Sequence, residues 1–357
     1  CTASSDDGQY DTLTSSTHTR TLENDDVAAS APTSTALTVS EVGGTATYAI
    51  DLETEPTADV TITFGSDALE VTLSSGSFTF TDSDYSVLQT LTVTGVNDAT
   101  DYAAHPETIV SHTVTSSDLE YDGIVVSSTT VELTDEDVAA LVFGANPTMG
   151  EAGGVGTHTV RLATKPTATV SVSVTSGDVG EVTVSTGLVE FTTGNWSNEQ
   201  TVSFVGVNDD IDQADATVTM SFACSSDDGV YDIVSGTTSA RMTDDDTFGV
   251  ASLSPSTSTA SESSGTTTFS FDLESQPVSN VSFTCASADT SEAIVTPSLV
   301  FADTDWSVPL TVTVTGVNDN VDLAVDPTVE ISCTASSDDG QYDTLTSSTH
   351  TRTLEND

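Results

Sequence analysis

Basic residues are almost absent from this sequence. Lys165, Arg20, Arg161, Arg241 and Arg352 are its whole fixed positive charge, against 56 acidic residues in 357, for a formal net charge of -51. Such a chain repels phosphate backbones and anionic lipid, so nucleic acid and membrane contact in this segment are excluded as partners and cations are favoured. Long apolar runs are missing as well. No stretch reaches about 18 apolar residues, the length a bilayer-spanning helix needs. Catalytic signatures are missing too: there is no Gly-x-Ser-x-Gly, Cys-x-x-Cys, His-Glu-x-x-His or phosphate loop. The EF-hand template fails because Asp82-Ser83-Asp84 has Val87, not Gly, at its sixth position. Carboxylates abound, but no basic or apolar pocket wall tunes one of them for acid–base work, and the chain reads as non-enzymatic.

What is present is a repeat. Gly95-Val96-Asn97-Asp98, followed by Asp101, returns as Gly206-Val207-Asn208-Asp209 with Asp212 and as Gly316-Val317-Asn318-Asp319 with Asp322. The intervals, 206 − 95 = 111 and 316 − 206 = 110, are the size of a small domain. Three units follow, 27–137, 138–246 and 247–357. Residues 1–25 are identical to 333–357, an offset of 333 − 1 = 332, or three units. The sequence thus reads as one period of a longer polypeptide, with 1–26 the C-terminal strand of a preceding repeat. There is neither a start Met nor a charged-then-apolar leader.

Within each unit apolar residues alternate with Ser and Thr, the period of half-buried strands. Seven segments are expected in the first: 36–40, 45–52, 59–64, 69–80, 89–96, 107–115 and 124–133. Turn chemistry recurs about every ten residues and helical periodicity is lacking, which predicts an all-β chain of tandem antiparallel β-sandwiches of seven strands each. Pro56, Pro166 and Pro277 mark one shared turn, and Tyr85, Trp196 and Trp306 recur just before the fifth segment as core plugs. No Gly/Ser or Pro spacer separates the units, only Asp135-Glu136-Asp137 and Asp244-Asp245-Asp246.

In such a sandwich the first, third, fifth and seventh strands end at one pole. The first unit has Glu41, Asp67, Asp98, Asp101, Asp135, Glu136 and Asp137 at those places. The second has Glu151, Asp178, Asp209, Asp212, Asp244, Asp245 and Asp246. The third has Glu262, Asp289, Asp319, Asp322, Glu355 and Asp357, and the opening piece carries the same closing acids as Glu23, Asp25 and Asp26. Gathering so many carboxylates is costly, roughly 4 kcal/mol for two charges at about 4 Å near a protein surface, and a hard divalent ion removes that cost. Calcium takes about 6–8 oxygens at flexible geometry; zinc or copper would call for His or Cys, which are not expected at this pole. The competing reading is a solvated acidic surface, as in salt-adapted proteins, with each loop Asp a mere turn former.

The acids closing each unit, Ser40-Glu41, Gly150-Glu151 and Ser261-Glu262 ahead of an alternating strand, and the Asn-Asp-rich loop resemble the Calx-β motif. The stretch from Asn195 to Asp209 is similar to tandem repeats of large microbial surface proteins. The resemblance implies an immunoglobulin-like sandwich binding calcium through the residues named above. The first unit departs from the second at Ala99, which stands where the second has Asp210.

Cys285 and Cys333 fall at inward positions of neighbouring strands of the third unit, either as a disulfide, which fits an extracellular protein, or as two buried thiols. Cys224 is read at the place of Cys333, with Val174 at that of Cys285, and so has no mate within its unit. His158 takes the position of Tyr48 and Phe269 as a core filler, and His18, His105, His112 and His350 form no spaced set. Asn195 and Asn280 head glycan acceptor triplets. The reading that follows is a calcium-stiffened structural segment of an extracellular or cell-surface array, the shaft of a filament, appendage or adhesin. Its partners would be further copies in tandem, with lateral assembly into a fibre as a variant. A calcium sensor would need unequal sites, and an adhesive module an exposed aromatic or basic patch.

Overall fold

The computed structural model describes residues 6, 19–23, 25–105, 107–251, 253–318 and 325–355. The chain divides into two compact units, 1–137 and 138–357. The first holds one β-sandwich and the second holds two, so the chain is all-β with three sandwiches in tandem.

In the first domain most Thr and Ser face water and most Val, Ile, Leu and Phe face inward along β1 (Ala36–Ser40), β2 (Thr45–Ile50), β3 (Val60–Gly65), β4 (Val71–Leu73), β5 (Ser77–Phe80), β6 (Gln89–Gly95), β7 (Thr108–Ser116) and β8 (Thr129–Thr134), with Thr108 and Thr129 buried and Ile109 exposed as exceptions. One sheet runs β1-β8-β7-β3-β5 and the other β2-β6-β4. Tyr48, Ile50, Ile62, Leu91, Val93 and Val110 fill the space between them. The expected fourth segment is therefore two strands. The chain changes sheets at Ser74-Ser75-Gly76, where the inward alternation breaks between Val71 and Phe80.

The second domain comprises β9 (Leu141–Phe143), β10 (Thr148–Gly150), β11 (Val155–Leu162), β12 (Val170–Ser176), β13 (Val182–Val184), β14 (Leu188–Phe191), β15 (Gln200–Gly206), β16 (Ala216–Ser226) and β17 (Ser235–Thr243). The third comprises β18 (Thr257–Ser261), β19 (Thr266–Phe271), β20 (Val281–Ser287), β21 (Ala293–Val295), β22 (Ser298–Phe301), β23 (Leu310–Gly316), β24 (Thr328–Ser337) and β25 (His350–Glu355). Tyr85, Trp196 and Trp306 pack half-buried against the three cores.

Among the described residues every strand pair is antiparallel except one per domain. The first strand lies parallel to the last: β1 on β8 from Ala36↔Thr130 to Ser40↔Thr134, β10 on β17, and β18 on β25. Having no hairpin to its neighbour, the first strand is free to run in the direction of the last, and both then end at the same pole.

Cys285 and Cys333 face each other across β20 and β24 and form a disulfide. Cys224 is buried and free. The register corrects its expected position. Val172 lies opposite Cys224 and Val174 opposite Phe222, so Phe222 takes the place of Cys333 and Cys224 that of Ala335. Burial pushes its thiol up to about 11, as suits an inert core residue. His158 is buried in β11 among Phe143, Phe204 and Phe222.

The opposite pole of each domain is closed by a clasp. Asp118 accepts Thr57 N at 2.7 Å and Glu120 N at 3.0 Å, while the Tyr121 hydroxyl donates to Thr54 O at 2.7 Å and accepts Thr54 N at 3.1 Å. Asp228 with Tyr231 and Asp339 with Tyr342 repeat it on Thr167 and Thr164 and on Val278 and Ser275.

Candidate metal centre

The parallel pair brings the first acids together. Glu41 follows β1 and its amide donates to Thr134 O at 3.2 Å, which sets it beside Asp135-Glu136-Asp137 at the end of β8. The chain then reverses through Gly43, whose φ of +79° suits glycine. Gly95 ends β6 against that same stretch. A Cβ there would stand 2.3 Å from Ser40 O, and one on Gly206 would stand 2.3 Å from Gly150 O. The glycine heading Gly-Val-Asn-Asp thus lets the loop that bears Asp98 pass directly over Glu41.

One carboxylate oxygen each from Glu41, Asp98 and Asp137 lie within 4.8 Å of one another, and Glu151, Asp209 and Asp246 make the same arrangement in the second domain. Neighbouring polar groups hold these acids in place. Asp98 accepts Ala99 N at 2.7 Å and Thr100 N at 2.6 Å. Asp135 accepts Tyr102 N at 2.6 Å and Asp137 N at 2.9 Å, and Glu136 accepts Ser40 Oγ at 2.6 Å. In the second domain Asp209 accepts Ile211 N at 2.8 Å, and Asp244 accepts Asp246 N at 2.8 Å and the Gln213 amide.

Glu41 and Glu151 are the exceptions. Both are wholly buried, and among the described residues neither oxygen of either has a hydrogen-bond partner. Burial, followed by Asp135, Asp137 and Asp98, pushes the Glu41 carboxyl up to about 7. Burial, then Asp246, Asp244 and Asp209, pushes Glu151 up to about 8. Asp137 and Asp246 are raised for the same leading reason. A buried carboxylate without a hydrogen bond and beside two further acids is strongly disfavoured, so these pockets fit a hard cation, which would offset the gathered negative charge.

The other expected acids are placed differently. Asp67, Asp178 and Asp289 are exposed and serve turns, accepting Leu69 N, Gly180 N and Ser291 N at 2.9–3.0 Å. Asp101 is half-buried and Asp245 exposed. Asp212 is not one of the three clustered acids and accepts Phe248 N at 2.7 Å. Glu262 is buried like its counterparts, and Glu355 closes β25 with its carbonyl on Glu262 N. Asp319, Asp322 and Asp357 lie outside the described residues. Glu23, Asp25 and Asp26 are exposed ahead of β1.

Three side chains at these centres were not anticipated. Glu181, just before β13, turns a buried oxygen inward, with burial first and Asp178 and Asp209 next raising its carboxyl. Glu70 holds the matching place before β4, and with Glu292 these recur at 181 − 70 = 111 and 292 − 181 = 111, a period that marks them in the sequence. His105 is the third. Its Nε2 lies 3.5 Å from Glu41 Oε2 and its Nδ1 3.6 Å from Glu70 Oε2, which corrects the expectation that no histidine reaches this pole.

No family model and no curated protein matches the sequence. Among solved structures the chain is similar to CBD12 from CALX1.2, at 14% identity and a TM-score of 0.26 over 55% of this chain and 80% of that one. It is also similar to titin domains I67–I69 in an E-to-A mutated variant, at 13% identity and TM-score 0.28 over 91% and 96%. A third likeness is to zebrafish RET cadherin-like domains 1 to 4, at 13% and 0.25 over 84% of this chain and 66% of that chain. Likeness at this level assigns no residue a role.

Proposed function

We propose that this chain is a non-enzymatic structural segment of a long extracellular tandem-repeat protein, whose domains are stabilised by calcium at the Glu41 and Glu151 centres. The observation that carries the reading is a pair of wholly buried glutamates with unsatisfied oxygens, each facing two further carboxylates. Glu41, Asp98 and Asp137 would hold one ion and Glu151, Asp209 and Asp246 another. The 332-residue period supports an array, and the Cys285–Cys333 disulfide supports an oxidising compartment.

Stiffness has a local basis in the second unit. The loop that carries Asp209 also holds the third domain, through Asp212 on Phe248 N and Asp210 O on Gln276 N at 2.6 Å. An ion that orders this loop orders that junction too. Calorimetry with calcium and X-ray scattering of the chain before and after chelation test the proposal. Saturable binding, with a scattering profile that broadens on chelation, is the expected result; no binding, or an unchanged profile, removes it.

A calcium sensor is the second reading, favoured by one observation. The two centres are unequal, His105 and Tyr102 flanking the first and Gln213 the second.

A further inference from the structure

The first-domain centre differs from the second in one respect that changes its chemistry. His105 stands three residues ahead of Thr108 in β7, and the same step from Val218 and Val329 reaches Asp215 and Asp326, so only the first domain has an imidazole here. Its side chain is 5% exposed. Tyr102 packs along one side with ring centroids 4.8 Å apart. Nε2 faces Glu41 Oε2 at 3.5 Å, Nδ1 faces Glu70 Oε2 at 3.6 Å, and Nδ1 has no hydrogen-bond partner.

We propose that His105 is a ligand and that the first-domain centre takes a nitrogen-accepting divalent ion of the zinc class, held between the imidazole Nε2 and Glu41 Oε2, while the second-domain centre takes only hard, oxygen-seeking ions. This inference rests on reading the acidic cluster as a cation centre and changes the class of cation there. Carboxylate–imidazole–metal is the arrangement that ligating histidines adopt: one ring nitrogen on the ion, the other turned to a carboxylate that fixes the ring. Glu70 occupies that outer position. A nitrogen and an oxygen about 3.5 Å apart can share one ion at bond lengths of about 2.0–2.2 Å. Mixed nitrogen and oxygen donors favour zinc-class ions over calcium, whereas the second centre offers oxygen alone.

The test uses the full chain, with Zn2+ as the probe in calorimetry and Co2+ as the spectroscopic probe, both in millimolar calcium. The expected result is one Zn2+ bound against calcium, a visible Co2+ spectrum carrying a nitrogen ligand, and at least about ten-fold weaker Zn2+ binding in His105→Asn. Glu70→Gln keeps the imidazole and should weaken Zn2+ by a smaller factor. Circular dichroism melts in chelator confirm that both variants fold; should His105→Asn not fold, the loss in Glu70→Gln alone decides. Zn2+ affinity unchanged in both variants, or no Zn2+ bound in the presence of calcium, overturns the proposal and leaves His105 as a packing neighbour of Glu41 and Glu70. His105-dependent Zn2+ binding in a chain that binds no calcium would overturn calcium stabilisation but not this site.

Discussion

The two poles of a single domain use the same residue type to opposite ends. At the Tyr121 pole, Asp118 is largely buried and each oxygen meets a backbone N–H, so its carboxyl is held below the ordinary range, chiefly by the Thr57 amide and then by Glu120. At the Glu41 pole the carboxylates meet one another, and the buried one is pushed up to about 7. Donor supply, not acid content, therefore separates a structural carboxylate from a site. Where N–H groups take both oxygens, as at Asp118, the acid is consumed by the fold; where, among the described residues, no hydrogen-bond donor reaches either oxygen, as at Glu41 and Glu151, the carboxylate stays available to an ion.

The largest effect that would break this contrast is at the clasp. Tyr231 is wholly buried, and its hydroxyl donates to Thr164 O at 2.8 Å and accepts Thr164 N at 3.0 Å. Tyr231→Ala should destabilise the second domain by about 3–5 kcal/mol, the range for deleting a large buried ring. Denaturant unfolding measures this. Calcium affinity at Glu151 should stay within about twofold while the domain remains folded, and an equal loss there would mean that the poles are not independent.

Next in size is the response of the Glu151 pole to pH and chelation. Glu151 is raised to about 8 in the folded protein, above its ordinary 4.5, so folding takes up a proton between those values. The associated stability is fully present below about pH 4.5 and is lost as pH rises through 8. In chelator the melting temperature of the second unit should fall from pH 5 to 8.5. Calcium at a hundred times its Kd should restore about 2.7 kcal/mol at the upper end. Glu151→Gln removes both responses: the variant should be more stable than the native chain in chelator at pH 8 and should bind calcium at least about ten-fold more weakly, roughly 1.4 kcal/mol. A Gln variant less stable in chelator would show that the glutamate is paired after all.

How much of this could be read from the sequence follows from which features repeat. Strand positions were legible because alternation is local: the segment 36–40 is β1 residue for residue. Partnership was not. Periodicity says which face a residue takes and nothing of which strand lies beside it, so the parallel pair that brings Glu41 to Asp137 was absent from an antiparallel expectation. Cys224 shows the same limit: it directly precedes Ser225-Ser226-Asp227-Asp228, whereas Thr334-Ala335 separate Cys333 from the matching Ser336-Ser337-Asp338-Asp339, so the two cysteines are not equivalent. Glu181 repeats and could have been found. His105 does not repeat, and only its contacts with Glu41 and Glu70 show where it goes.

The smallest effect sharpens the contrast most finely, because it sets two acids of one loop against each other. Asp178 is exposed and its Oδ1 accepts Gly180 N at 2.9 Å, a bond that an asparagine side-chain oxygen can also make. Asp178→Asn should therefore change stability by no more than about 0.5 kcal/mol, as surface substitutions do. Its effect on calcium should be slight and should fade in about 0.5 M salt, because a charge outside the pocket acts only through a screened field. Glu181 has a buried oxygen aimed at the cluster, so Glu181→Gln should lower calcium affinity several-fold with little salt dependence. Paired titrations at low and high salt separate the two. If Asp178→Asn instead gives the larger, salt-resistant loss, the turn former is a ligand, and donor supply does not govern which acids an ion takes.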